Sequence, residues 1–275
     1  MESLFAELYG KATGANAGLA GSQDISFPSR NFHSGAILAG ATAVALGTAL
    51  ALQRKGTGLV SVAGFGESAT DEGIFWETVN YAALAKLPAV FVCENNNYSV
   101  FSPQSKRAAL DNISERVAVF GMPAVPIFGN DAMLVYRTLK DAIVRARNNG
   151  GPTFVEAYTY RWSGHYGPAS DDLVGYRSAE EMEAWKRNCP VHLLEEALRA
   201  RGLLDEATAA ALADEYESEI MRCFSFAKSS AFPAAPATWE ALNEAASTPL
   251  ADRLLIDLDV ADFDALQESV QAKGY

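Results

Sequence analysis

With 275 residues, 49% hydrophobic and 20% charged, the chain is long and apolar enough for one large folded domain with an accessory tail, and disorder is excluded as its default state. A formal charge of −12, with Lys and Arg scattered rather than grouped, excludes a nucleic-acid binder that works through phosphate contacts. Cys93, Cys189 and Cys223 lie far apart with no CxxC pair, which excludes a disulfide framework and a structural zinc site and fits a reducing cytoplasm.

In chain order, residues 2–12 predict a short amphipathic helix, and the opening MESLFAELYGK lacks the layout of a signal peptide. A Gly-rich loop follows from Thr13 to Ser34. Ala36–Arg54 predicts a helix, and the uncharged run Asn31–Gln53 is mostly Ala, Gly and Thr. That composition points to a helix buried on all sides in a soluble core or at a subunit contact, in place of a membrane span. Leu59–Ala63 predicts a strand, Glu72–Ala85 a helix and Ala89–Cys93 a continuously apolar strand, with Cys93 a small core residue. A strand at Ala124–Phe128, a helix at Ala132–Asn148 and a strand at Thr153–Tyr158 extend the alternation. This is the pattern of an α/β protein with a doubly wound, mostly parallel sheet. A polar loop leads to C-terminal helices near Ala179–Arg187, Val191–Arg201 and Asp205–Lys228. Residues 1–233 are expected to form the α/β domain, and 234–275 an acidic C-terminal extension that is solvated or docks on a subunit.

The chemistry concentrates in GFGESATDEGIFWETVNYAALAKLPAVFVCENNNY, from Gly64 to Tyr98. Glu67 and Asn96 are 29 positions apart, and a strand–helix–strand unit of that length sets the ends of adjacent strands side by side. Open α/β sheets bind ligands at that edge. A carboxylate, an amide oxygen, a backbone carbonyl and a diphosphate together suit magnesium, which takes six oxygens. The residues alone leave a plainer alternative open, in which Glu67 caps the next helix and Asn95–Asn97 form a polar turn.

Aligned on Glu72–Gly73, the stretch resembles the thiamine diphosphate fingerprint of the alpha subunits of 2-oxo acid dehydrogenase first components: Gly-Asp-Gly-Ala, Glu-Gly, a Glu-Ala-Leu-Asn helix, Leu-Pro, then Glu-Asn-Asn-x-Tyr. Gly66, Glu67, Ser68 and Ala69 take the first four places. ELYGKATG, GAILAGATAVALGTALA, GPTFVEAYTYRWSGH and FAKSSAFP also resemble family segments in the family's order, so the similarity covers roughly residues 7–233. The resemblance implies the thiamine diphosphate-binding fold, with thiamine diphosphate and Mg as cofactors. It implies metal binding by Glu67, Asn96 and the backbone oxygen of Tyr98. It implies cofactor contacts from Ala36, Leu38, Glu67, Ser68, Ala69, Asn96, Tyr98, Arg161 and His165, with His165 as the catalytic candidate in proton handling. Read from residues alone, His165 is as well an exposed loop residue, and Arg161 pairs with Asp171 and Asp172.

The chain departs from the family pattern in places. Glu67 stands for Asp and Ser68 for Gly, and Gly21-Ser22-Gln23-Asp24 replaces Gly-Ser-Met-His. The family's Tyr-Arg element ahead of Glu-Leu-x-Gly-Lys is not in this sequence, so a separate N-terminal polypeptide is expected to supply it, or cofactor binding rests on Glu67, Asn96 and His165. The loop after His165 differs from that of the large complexes, which points to an acyl acceptor other than lipoamide.

The resemblance thus implies an alpha-type subunit acting on a 2-oxo acid by decarboxylation with acyl transfer. Activity would need a beta subunit that contributes the activating glutamate, in an α2β2 heterotetramer. A lipoyl acyltransferase is a further partner where lipoamide is the acceptor; nucleic acid and membrane are not expected. Two alternatives remain: a carboligase or ketol transferase subunit, and a degenerate, non-catalytic scaffold.

Overall fold

The computed structural model describes residues 1–166 and 174–234. Asp171, Asp172 and the acidic extension beyond Ala234 lie outside the described residues. The chain divides into two compact units, one formed by Met1–Phe32 with the chain from Glu217 onward, the other by His33–Tyr216.

In the first unit α1 (Glu2–Leu8) buries Ala6 and Glu7. It stops short of the expected Ala12 because Gly10 turns at φ +66°. Phe5 and Tyr9 set their rings edge-on to Phe224, with centroids 4.9 and 6.2 Å apart. Lys11 Nζ donates to the Ser230 carbonyl at 2.9 Å and lies 3.8 Å from the Phe232 ring centre. Glu7 has no solvent exposure. Its carboxylate accepts the backbone N–H groups of Asn16, Gly18 and Ala20 at 2.7, 2.9 and 2.7 Å, which offsets the desolvation of a buried charge and wraps the Gly-rich loop around it. The loop needs glycine to come so close, since a Cβ at Gly14 would lie 2.8 Å from Glu7 Cα. The ELYGKATG segment is therefore a folding device first.

The second unit carries a fully parallel four-stranded sheet. Its elements run α2 (Gly40–Lys55), β1 (Ser61–Gly66), α3 (Gly73–Leu84), β2 (Ala89–Asn95), α4 (Ile113–Ala118), β3 (Ala124–Phe128), α5 (Ala132–Arg147), β4 (Thr153–Tyr158), α6 (Ala179–Arg187), α7 (Pro190–Ala200) and α8 (Glu206–Ser229), the last continuing into the first unit. The strand order is β1-β2-β4-β3. Alternation sorts the residues by face: Ala63, Phe91, Cys93 and Phe154 join Ala45 and Ala49 of α2, Phe75, Val79 and Ala82 of α3, and Ile113 and Val117 of α4 in one core. On the opposite face Ile127, Val155 and Ala157 pack with Val135 and Leu139 of α5. Helices thus cover both faces, as a doubly wound sheet requires.

Local chemistry starts and stops these helices. α3 places Phe75, Val79 and Ala82 on its buried side at helical spacing and ends before Pro88. Asp131 Oδ1 accepts from Met133 and Leu134 N–H at 3.0 and 2.9 Å and caps α5. α4 was not anticipated from the sequence; it is only six residues long and begins at an Asn112 cap.

Of the two settings expected for α2, a core of this chain or a subunit contact, the structure does not show the first: only Thr42, Ala45 and Ala49 are buried, and Val44 is 52% exposed. Its apolar composition serves a core on one side and leaves a small-residue face open on the other. Among the described residues no helix is long and apolar enough to cross a membrane.

Glu7→Ala removes the acceptor of three buried N–H groups and is expected to destabilise the chain by about 3 kcal/mol. A urea unfolding curve checks this through a lowered midpoint.

Candidate active site

β1 ends at Gly66, opposite Glu94 of β2, while β2 runs on to Asn95, opposite Tyr158 of β4. Glu67 therefore leaves the sheet beside the Asn95–Asn97 turn, as the spacing predicts. Residues Glu67–Asp71 form a single 3-10 turn, and the short hairpin strand Tyr98–Ser99 lies against it. Ser68 is not among the residues with positive φ, so serine in the glycine position carries no left-handed strain.

Glu67 is buried, at 2% exposure, and does not cap α3, which starts without a side-chain cap. Its Oε1 accepts from Arg107 Nη2 at 2.7 Å, and Arg107 Nη1 pairs with Asp71 Oδ2. Burial pushes the Glu67 carboxyl above its ordinary value, with the Arg107 guanidinium opposing that rise.

Arg107 is held by a polar network that sequence reading missed. Gln104, itself buried, donates from its backbone N–H to the Asn97 carbonyl at 2.8 Å and from Nε2 to the Asp111 carbonyl at 2.7 Å. Asn95 Nδ2 donates to Gln104 Oε1 at 3.1 Å and to Glu156 Oε1 at 2.8 Å. Glu156 Oε2 accepts from Ser114 N–H and Oγ–H at 2.9 and 2.6 Å. The one signal in the sequence was a charged residue inside the apolar run of β4, since a buried carboxylate needs partners.

The turn Asn95–Asn97 bears out the plainer alternative for its backbone. Asn97 N–H donates to Asn95 Oδ1 at 2.9 Å and Tyr98 N–H to Asn96 Oδ1 at 3.0 Å, with Asn97 at φ +67°. Asn96 Oδ1 is thereby engaged in the turn.

A second group gathers at the same edge. Arg161 Nη2 donates to the Val100 carbonyl and to Tyr176 Oη, each at 2.8 Å, and Nη1 lies 3.4 Å from His165 Nδ1. His165 is exposed. The Tyr98 ring stands edge-on to Tyr160 and Tyr176, and its hydroxyl donates to Glu181 Oε2 at 3.1 Å. Burial and then Glu181 push the Tyr98 phenol up, so it stays protonated. The structure thus joins Tyr98, Arg161 and His165, and separately joins Glu67 to Asp71 and Arg107. Ala36 and Leu38 are exposed just before α2, in the segment whose Ala39 shares a core cluster with Ala69.

These features define a class: an α/β protein with polar side chains gathered at the C-terminal ends of parallel strands, the edge where open α/β sheets bind ligands. Residues 1–236 match the family described as dehydrogenase E1 component, and the chain belongs to that family. It is 36% identical over 241 residues to the alpha subunit of acetoin:2,6-dichlorophenolindophenol oxidoreductase from Bacillus subtilis, covering 85% of this chain and 69% of that protein. It is 39% identical over 171 residues to the 2-oxoisovalerate dehydrogenase alpha subunit of Bacillus subtilis, covering 62% and 51%. With the pyruvate dehydrogenase E1 alpha subunit of Staphylococcus aureus it shares 36% identity over 162 residues, or 59% and 44%. Against the last two, the matched region spans about half of the relative's length or less.

Gln104→Ala cuts the tie between Asn95 and the loop that carries Arg107. It is expected to cost about 2 kcal/mol and to raise amide hydrogen exchange across residues 102–112 while the sheet stays protected. Exchange mass spectrometry reads both effects.

Proposed function

We propose that the chain is the alpha-type subunit of a two-component thiamine diphosphate enzyme acting on a 2-oxo acid or a related α-hydroxyketone. It works in the cytoplasm with a beta subunit in an α2β2 assembly. The observation that carries this reading is the meeting of Asn96, Tyr98, Arg161 and His165 at one strand edge, in a chain whose family match runs through residue 236.

The edge fits the organic cofactor. A Cβ added at Gly64 or Gly66 of β1 would meet nothing within 4 Å, so packing within the chain does not demand these glycines. Glycine in a strand costs about 0.5–1 kcal/mol and marks close approach of a ligand or another backbone. Thiamine diphosphate, when bound, supplies a nucleophilic thiazolium carbon for attack on a ketone carbonyl. This chain's residues bind and orient. Arg161, aimed by Val100 and Tyr176, presents a fixed positive charge to the anionic end, and His165 beside it hydrogen-bonds that end or holds a proton there. Ala36, Leu38 and Ser68 line the approach, with Ala69 buried beneath Ser68, and the beta subunit contributes the activating glutamate.

The expected magnesium fits less well. Glu67 serves Arg107, and Asn96 Oδ1 serves the Tyr98 N–H.

The relatives' names set the substrate trial: acetoin, pyruvate and 2-oxoisovalerate, with dichlorophenolindophenol as electron acceptor. The chain assembled with its beta subunit is expected to bind thiamine diphosphate by calorimetry and to reduce the dye with one of these compounds. Neither chain alone should do so. Arg161→Ala should weaken cofactor binding by about tenfold or more, the scale of one charge-assisted hydrogen bond. An assembled complex that takes up no cofactor would overturn the proposal.

A further inference from the structure

Glu67 and Asp71 stand on one 3-10 turn and share one guanidinium. Arg107 meets Glu67 with Nη2 at 2.7 Å and Asp71 with Nη1, and Nε donates to the Ser102 carbonyl at 3.3 Å. The Arg107 side chain is 15% exposed against 2% for Glu67, so the pair is shielded from water. Arg107 is also held from behind: its backbone N–H donates to the Gln104 carbonyl at 2.9 Å, and Gln104 is tied to Asn95, Asn97 and Asp111.

We infer that Arg107 is the resident cation of this strand end and that it closes the Glu67 carboxylate to divalent metal ions. A guanidinium offers planar, paired donors that suit two carboxylates at once. A divalent ion needs the Glu67 lone pair at short range, which would set a double positive charge beside the guanidinium where little water screens it. Arginine does not lose its proton in proteins, so a change of pH does not relieve the block. The longer acid at position 67 and the arginine at 107 form one arrangement, in which a side-chain cation of this chain stands where the fold would otherwise recruit a metal. The consequence for the cofactor rests on the reading given under Proposed function: its diphosphate is bound without a divalent ion, through Arg161, His165 and groups from the partner.

Electron paramagnetic resonance of free Mn2+, added to the full chain after stripping with EDTA, tests the closure. The wild-type chain should leave Mn2+ free at concentrations up to about 1 mM. Arg107→Gln should open one site per chain that binds Mn2+ at least about tenfold more tightly, and Glu67→Gln added to it should abolish that site. A folded Arg107→Gln chain that binds Mn2+ no better than wild type overturns the inference. Should Arg107→Gln not fold, the wild-type titration decides: a stoichiometric Mn2+ site there that Glu67→Gln abolishes overturns it, and its absence supports it. In the complex with the beta subunit, thiamine diphosphate should bind within about twofold of the same affinity in EDTA and in excess Mg2+. Binding that requires Mg2+ counts against the inference. Failure to bind under both conditions counts against the cofactor reading alone, and the Mn2+ titration still judges the closure.

Discussion

The buried carboxylate of Glu156 organises the C-terminal side of the sheet. It sits in β4 with no solvent exposure, where an unpaired charge would cost several kcal/mol. Its partners come from β2, through Asn95, and from the start of α4, through Ser114, so satisfying one charge fixes two neighbours of β4. Asn95 then engages Gln104, and Gln104 fixes the loop that ends in Arg107. The position of the guanidinium on Glu67 is thus the far end of a chain of hydrogen bonds that begins in the core. An apolar residue at position 156 would pack there, but it would leave Ser114 and one N–H of the Asn95 amide without their acceptor.

Glu7 does the same work in the other compact unit, where its carboxylate gathers three backbone N–H groups of the Gly-rich loop. In both cases a loop of little intrinsic order is specified by a charge that has nowhere else to find partners. The open surfaces carry a complementary message. β1 is an edge strand with Val62 53% exposed, and α2 turns Val44 outward at 52%. Uncovered apolar surface on an edge strand and on a helix beside it is the kind of surface that receives another chain.

The sequence reading succeeded where periodicity governs. β2 and β4 announce themselves as apolar runs, α3 shows Phe75, Val79 and Ala82 at helical spacing, and the strand–helix–strand length brings Glu67 beside the Asn95–Asn97 turn, as Gly66 opposite Glu94 confirms. It failed where partners are set by tertiary contact. Nothing within SPQSKRAAL tells that Arg107, forty positions beyond Glu67, closes on that carboxylate, because the hairpin at Tyr98 and Ser102 folds the chain back first. The polarity of Asn95 was visible, but not that its Nδ2 reaches the buried Glu156 and Gln104 while its Oδ1, like that of Asn96, serves the local turn. The composition of α2 left two settings open because Ala, Gly and Thr read the same whether a helix is enclosed by its own chain or left for another.

The departures from the family pattern at Glu67 and Ser68 have a common physical sense. A turn that must bring its backbone against a ligand gains from glycine, but this turn is an ordinary 3-10 helix with no residue at positive φ, and serine fits it. The extra methylene of glutamate carries its carboxylate about 1.5 Å farther than aspartate would. Here that carboxylate meets a guanidinium that Asp71 also shares. Two carboxylates and one arginine leave a net charge of −1 at the strand end, whereas a divalent ion in place of the guanidinium would make it neutral. A diphosphate arriving at this edge gains little attraction from the turn itself. The positive charge nearest the hairpin tip is instead that of Arg161, whose Nη2 donates to the Val100 carbonyl.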